Sequence, residues 1–176
     1  MGNETSLTVI SESIKLLSSI TDISDSRRMV SVARGLVTAA VKEYKAAATI
    51  GEIKEDRDQA YETAVKAGEF RLMAEARLGE LIQQEQQAGR LATEDRSKMS
   101  NISVTHLKDY GLTKQDSSRA QQIADHQELI QKAVESARRY KDIPTRKSLE
   151  LLIRNSPKPP APPSPCLLYT SPSPRD

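Results

Sequence analysis

From Ser26 to Gln87 apolar residues return every three or four positions with charged residues between them, a rhythm that only an α-helix gathers onto one continuous face. Val30, Ala33, Val37, Ala40, Val41 and Tyr44 carry it over residues 26–48, and Ile53, Ala60, Ala64, Ala67, Leu72, Ala76, Leu78, Leu81 and Ile82 over residues 52–87. Gly51 interrupts the two runs. Gly68 weakens the second by about 1 kcal/mol relative to alanine, and Gly89 stands where a left-handed C-cap would close it. Such stripes must be covered, either by antiparallel packing or by pairing with a second subunit as a coiled coil. Aromatic residues make up 3% of the chain and tryptophan is absent, so the core must come from Leu, Ile, Val and Ala. The expected fold class is all-α, with long antiparallel or coiled-coil-like helices followed by a small helical bundle.

The bundle is expected over residues 103–155, where SVTHLKDYGLTKQDSSRAQQ has the spacing of a helix-turn-helix. A short amphipathic helix offers His106, Leu107 and Tyr110 to a core, Gly111 supplies the positive φ of the reversal, and Leu112 plugs the corner. Thr113 is the expected N-cap of the next helix, with Asp116 three residues on in a capping-box arrangement. Ala120, Ile123 and Ala124 then face inward. Lys114, Gln115, Ser118, Arg119 and Gln122 form a donor-rich outer face suited to base edges in a major groove. Lys108, Thr113, Arg138 and Arg139 are the candidate phosphate contacts. Two positions depart from the usual pattern: Leu107 replaces a small residue, and Ser117 replaces a buried aliphatic one.

The stretches AEARLGELIQQ (74–84), LKDYGLTKQDSSRAQQIA (107–124) and PTR (144–146), taken in order, resemble a family of helical DNA-binding proteins of prophages and plasmids with a ParB-like helix-turn-helix. The resemblance spans roughly residues 28–155. It implies a DNA-binding accessory role in partition, replication or transcription control, with double-stranded DNA as partner. The family often carries tryptophan after its SSR string; here Ala120 stands there. The C-terminal CLLYTSPSPRD (166–176) resembles translated sequencing-adapter read-through, and the single cysteine, Cys166, lies in it.

The expected organisation is a weakly ordered segment (1–25) with a weak helix near Ser11–Ile20, a long-helix arm (26–89), an exposed connector (90–102), the helix-turn-helix bundle (103–155), a Pro-rich linker (156–165) and the adapter-like end (166–176). Within the bundle a helix from about His126 to Tyr140 turns Leu129, Ile130 and Val134 inward. Ile143 and Pro144 break it, and Thr145 caps a last helix that covers the reader with Leu149, Leu151, Leu152 and Ile153. Net charge is only +2, but residues 1–100 hold 14 basic and 16 acidic residues while 101–155 hold 10 and 7, so positive charge gathers around the proposed reader. Arg146 and Lys147 add to that group.

No HExxH, cysteine cluster or Gly-rich phosphate loop is present, and His106 and His126 stand apart from any paired carboxylates. No catalytic residue, metal ligand or cofactor is expected, and Glu75 and Glu80 read as solvated salt-bridge partners. Nothing in the chain reaches the roughly 18 apolar residues of a membrane span, which points to the cytoplasm. A helical scaffold that acts by protein contact alone is the competing reading, because an Ala/Leu stripe with charged flanks needs no nucleic acid to explain it.

Overall fold

The structure, a computed structural model, describes residues 2–50, 54–92 and 105–156. It is all-α with long helices. Six α-helices run in order: α1 (Gly2–Leu16), α2 (Ile23–Ile50), α3 (Lys54–Gln87), α4 (Lys114–Ala124), α5 (Glu128–Tyr140) and α6 (Arg146–Asn155). A 3-10 turn, Leu17–Ser19, follows α1, and another, Leu107–Tyr110, precedes α4. Two short parallel strands, β1 (Leu91–Ala92) and β2 (Thr105–His106), pair Leu91 with Thr105 and Ala92 with His106.

Helix α3 is the axis of the molecule, about 50 Å long for its 34 residues. It carries α2 antiparallel along one side: the rings of Tyr44 and Tyr61 meet at a 55° tilt with centroids 5.5 Å apart, and Arg34 of α2 reaches Glu75 further along. The α2 stripe foreseen from its periodicity is buried at Val30, Ala33 and Ala40 and half-buried at Val37, Val41 and Tyr44. The Asp22 carboxylate caps α2, accepting from the amides of Ser24 (2.8 Å) and Asp25 (3.2 Å).

The N-terminal segment docks. Helix α1 and the 3-10 turn after it pack against α3, burying Ile10 and Leu17 and partly covering Ile14. Arg77 of α3 donates from Nε (3.1 Å) and Nη2 (2.6 Å) to the carbonyl of Ile20, fixing the bend into α2.

On its remaining sides α3 carries α4, α5 and α6. Leu72 and Ala76 of α3 share one cluster with Ile123, Leu129, Ile130, Ala133 and Leu149, while Leu112 and Ala120 join the larger cluster formed with α1 and α2. The long helices and the inner face of α4 are therefore covered by each other. Nearly every α3 residue from Thr63 to Phe70 is buried, because neighbours stand all round it. The glutamates of α3 are drawn into this packing. Glu69 takes Lys66 Nζ (2.8 Å) and Gln131 Nε2 (3.1 Å), Glu62 pairs with Arg138 (3.2 Å), and Glu80 is met by Arg77 and Gln127.

Four expectations need correction. The helix foreseen before Gly111 shrinks to the single 3-10 turn, because Thr105–His106 is extended against β1 and the Asp109 carboxylate accepts from the His106 amide (2.8 Å). The connector is exposed at Arg90 but not at Leu91 and Ala92, which are buried in that pairing; residues 93–104 lie outside the described residues, as do 157–176 with the Pro-rich and adapter-like stretches. Leu151 is 48% exposed and does not pack behind α4; Leu149, Leu152 and Ile153 do, Leu149 standing three and four positions before the other two on the inward face. Glu75 is not solvated but buried.

Candidate nucleic-acid interface

The corner before α4 is built as its residues dictate. Gly111 has φ +61° and ψ +31°, a left-handed conformation costly for any residue with a Cβ. Its amide donates to the carbonyl of Lys108 (2.8 Å), and that of Leu112 to Leu107 (3.0 Å), while Leu112 turns into the core. Thr113 Oγ1 accepts from the Asp116 amide (3.0 Å) and donates to the Asp116 carboxylate (2.7 Å). That hydroxyl bond above all holds the Asp116 carboxyl below its ordinary value against the opposing effect of burial; the Thr113 backbone and the charges of Arg34 and Arg146 act in the same lowering direction.

Helix α4 sits on α3 through small atoms. A Cβ at Gly79 would lie 2.1 Å from the Ala120 carbonyl oxygen and 2.4 Å from its carbon, so only glycine permits this crossing. Ser117, Ala120 and Ile123 form the buried face. Ser117 is satisfied there by Gln121, whose Nε2 donates to its hydroxyl (3.0 Å), which is how a serine replaces the aliphatic residue usual at this place.

The opposite face brings together the five candidate base contacts. Lys114, Gln115, Ser118 and Gln122 are exposed and Arg119 is half-buried, all within one arc of the helix. Arg119 forms no ion pair or hydrogen bond among the described residues. Lys108 and Thr113 are exposed at the corner below.

Arg138 and Arg139 are exposed but stand elsewhere. Arg138 pairs with Glu62, whereas α4 crosses α3 at Gly79, a separation of roughly 25 Å along the helix axis. Arg146 is withdrawn from the basic group as well. Its Nε and Nη2 grip the two oxygens of Glu75 at 3.0 and 2.8 Å, and Arg71 (3.3 Å) and Arg34 (3.6 Å) approach the same carboxylate. One buried acid thus joins α2, α3 and α6 beside the α4 seat. Sequence reasoning passed over this centre because a glutamate among charged residues on a long helix gives no sign of burial.

Beside that centre lies a cleft of about 510 Å³ between α2, the Gly111 corner, α4 and the start of α6. Arg27, Arg28 and Arg34 reach it from α2. Among the described residues no group of His, Cys, Asp or Glu could hold a metal ion, and no helix is long and apolar enough to cross a membrane. No protein family, curated protein or solved structure matched this chain on comparison.

Proposed function

We propose that the protein is a DNA-binding accessory factor that inserts α4 into the major groove of duplex DNA. The observation that carries this reading is the pairing of a rigidly seated inner face with an outer face left open: α4 is fixed by Gly79, the Gly111 corner and the Thr113 cap, while Lys114, Gln115, Ser118, Arg119 and Gln122 project away from it. A reader needs both, because base contacts discriminate only when their scaffold holds them in register. Lys108 and Thr113 would meet flanking phosphates. Arg138 and Arg139 would touch DNA only as a separate, distant patch. The resemblance to prophage and plasmid proteins adds the setting: partition, replication or transcription control.

A titration of random duplex DNA at increasing salt tests this. Binding at low salt that declines log-linearly as salt rises is the expected result; no binding at low salt would discard the reading. A helical scaffold is the second reading, favoured by Val9, Leu16 and Val32, which are 48%, 59% and 52% exposed on α1 and α2. It predicts self-association through those helices, measured by light scattering, in a protein that ignores DNA.

A further inference from the structure

Helix α2 brings a second set of donors to the α4 corner. Ser24, Arg27, Ser31 and Arg34 follow at three- and four-residue steps and all line the same cleft, which is bounded on α4 by Asp116 and Ala120. Three carboxylates share this cleft with four arginines, Arg27, Arg28, Arg34 and Arg146, so positive charge exceeds negative by one. Each acid also has a donor of its own. Glu75 is gripped by Arg146 (2.8 and 3.0 Å) and approached by Arg71. Asp109 accepts from the His106 amide, and Asp116 from the Thr113 hydroxyl.

The α2 arginines are less committed. Arg27 has no ion pair or hydrogen bond among the described residues, and its guanidinium lies over Gly111, 2.7 Å from where a Cβ would stand. Arg34 reaches Glu75 only at 3.6 Å and keeps 49% of its side chain exposed. Guanidinium groups with unused N–H donors favour oxyanions, phosphates above all. Seven residues separate the two, roughly 10 Å along α2, a spread that suits successive phosphates of a strand better than one small anion. Asp116 and Ala120 face the cleft while Gln115 and Arg119, each one residue earlier, turn toward the open face. The donor row therefore flanks the reader.

We infer that the α2 face formed by Arg27, Ser31 and Arg34 holds the sugar-phosphate backbone of the duplex whose groove α4 enters, an inference that rests on the DNA-reading role above. Arg27 and Arg34 neutralise phosphates and Ser31 donates between them. The row supplies affinity without sequence preference and sets the angle at which α4 approaches the bases.

Arg27→Ala and Ser31→Glu in the full chain, titrated with random duplex across a salt series, test it. Arg27→Ala is expected to weaken all sequences alike, and to reduce the slope of log K against log salt by about 0.9, one phosphate's share. Ser31→Glu, at an exposed position that leaves the core untouched, is expected to weaken binding roughly tenfold by placing a negative charge on the phosphate path. If the unaltered protein binds duplex and both variants match it in affinity and slope, the α2 contact is refuted while the α4 reading stands. If the unaltered protein binds no duplex at low salt, the reading itself falls and takes this inference with it.

Discussion

Arg138 and Arg146, on α5 and α6, and Arg27 and Arg119, on α2 and α4, have opposite fates. Arg138 is tied to Glu62 at the surface, and Arg146 is clasped by the buried Glu75; both pairs fasten the last two helices to α3. Arg27 and Arg119 have no such partner among the described residues, and they flank one corner of the fold. A count of basic residues treats all four alike. What matters for a polyanionic partner is the charge left over after internal pairing, to which Arg27 and Arg119 contribute more than Arg138 and Arg146 do.

The sharpest way to break this contrast is to unseat α4. Gly79→Ala should improve the intrinsic helix propensity of α3 by about 1 kcal/mol, yet its methyl would meet the Ala120 backbone at 2.1 Å. Backbone cannot step aside as a side chain can, so a net loss of about 3 kcal/mol or more is expected in urea denaturation. Gly35 on α2 is the control. Nothing lies within 4 Å of a Cβ there, and Gly35→Ala should stabilise by about 0.5–1 kcal/mol. Equal responses at the two glycines would contradict the close α3–α4 crossing.

Glu75→Gln addresses the satisfied arginines. It leaves three guanidinium groups around a neutral amide, and the expected loss is about 2–3 kcal/mol. That falls below the ~3–5 of a fully buried pair, because Arg34 and Arg71 retain access to water. Arg138→Ala removes only a surface pair and should cost about 0–1 kcal/mol of stability, without altering DNA affinity at the α4 face.

Arg119→Ala tests the uncommitted side. It should leave the melting temperature unchanged and lower affinity for a selected duplex by about 1–3 kcal/mol relative to random sequence. Equal losses on selected and random duplex would make Arg119 a phosphate contact and not a base contact.

Acid gives the smallest effect. The Asp116 carboxyl is held below its ordinary value by the Thr113 hydroxyl, so it contributes stability above the unfolded carboxyl's pKa and loses it as pH falls through the folded one, below about pH 4. The thermal stability gap between the unaltered protein and Asp116→Asn should therefore be present at neutral pH and close in acid. A constant gap would mean that the charge of Asp116 plays no part in the cap.

Much of the fold was legible because local rules decide it. The α2 stripe, the left-handed turn at Gly111, the caps at Thr113 and Thr145 and the break at Pro144 all depend on residues within a few positions of one another. The two faces of α4 were legible to the same extent: periodicity separates Ala120, Ile123 and Ala124, which are buried or half-buried, from the exposed Lys114, Gln115, Ser118 and Gln122, while Ser117 is buried despite being polar. What escaped depends on partners distant in sequence. The burial of Glu75 requires Arg34 and Arg146 to arrive from two other helices, and the need for glycine at position 79 arises only when Ala120 crosses it. Periodicity also presumes one dry face, and α3 has neighbours on all sides. The extended pairing of Leu91–Ala92 with Thr105–His106 is too short to leave any alternating pattern.

The central claim, that the outer face of α4 and the adjoining α2 row meet duplex DNA while the internally paired Arg138 and Arg146 do not, is most directly tested by mapping backbone amide shifts of the full chain as duplex is added. The account predicts changes concentrated at Lys114, Gln115, Ser118, Arg119 and Gln122 and along Arg27 to Arg34, with Arg138 and Arg146 unmoved. Changes centred on the end of α5 with a silent α4, or no changes at all, would contradict it.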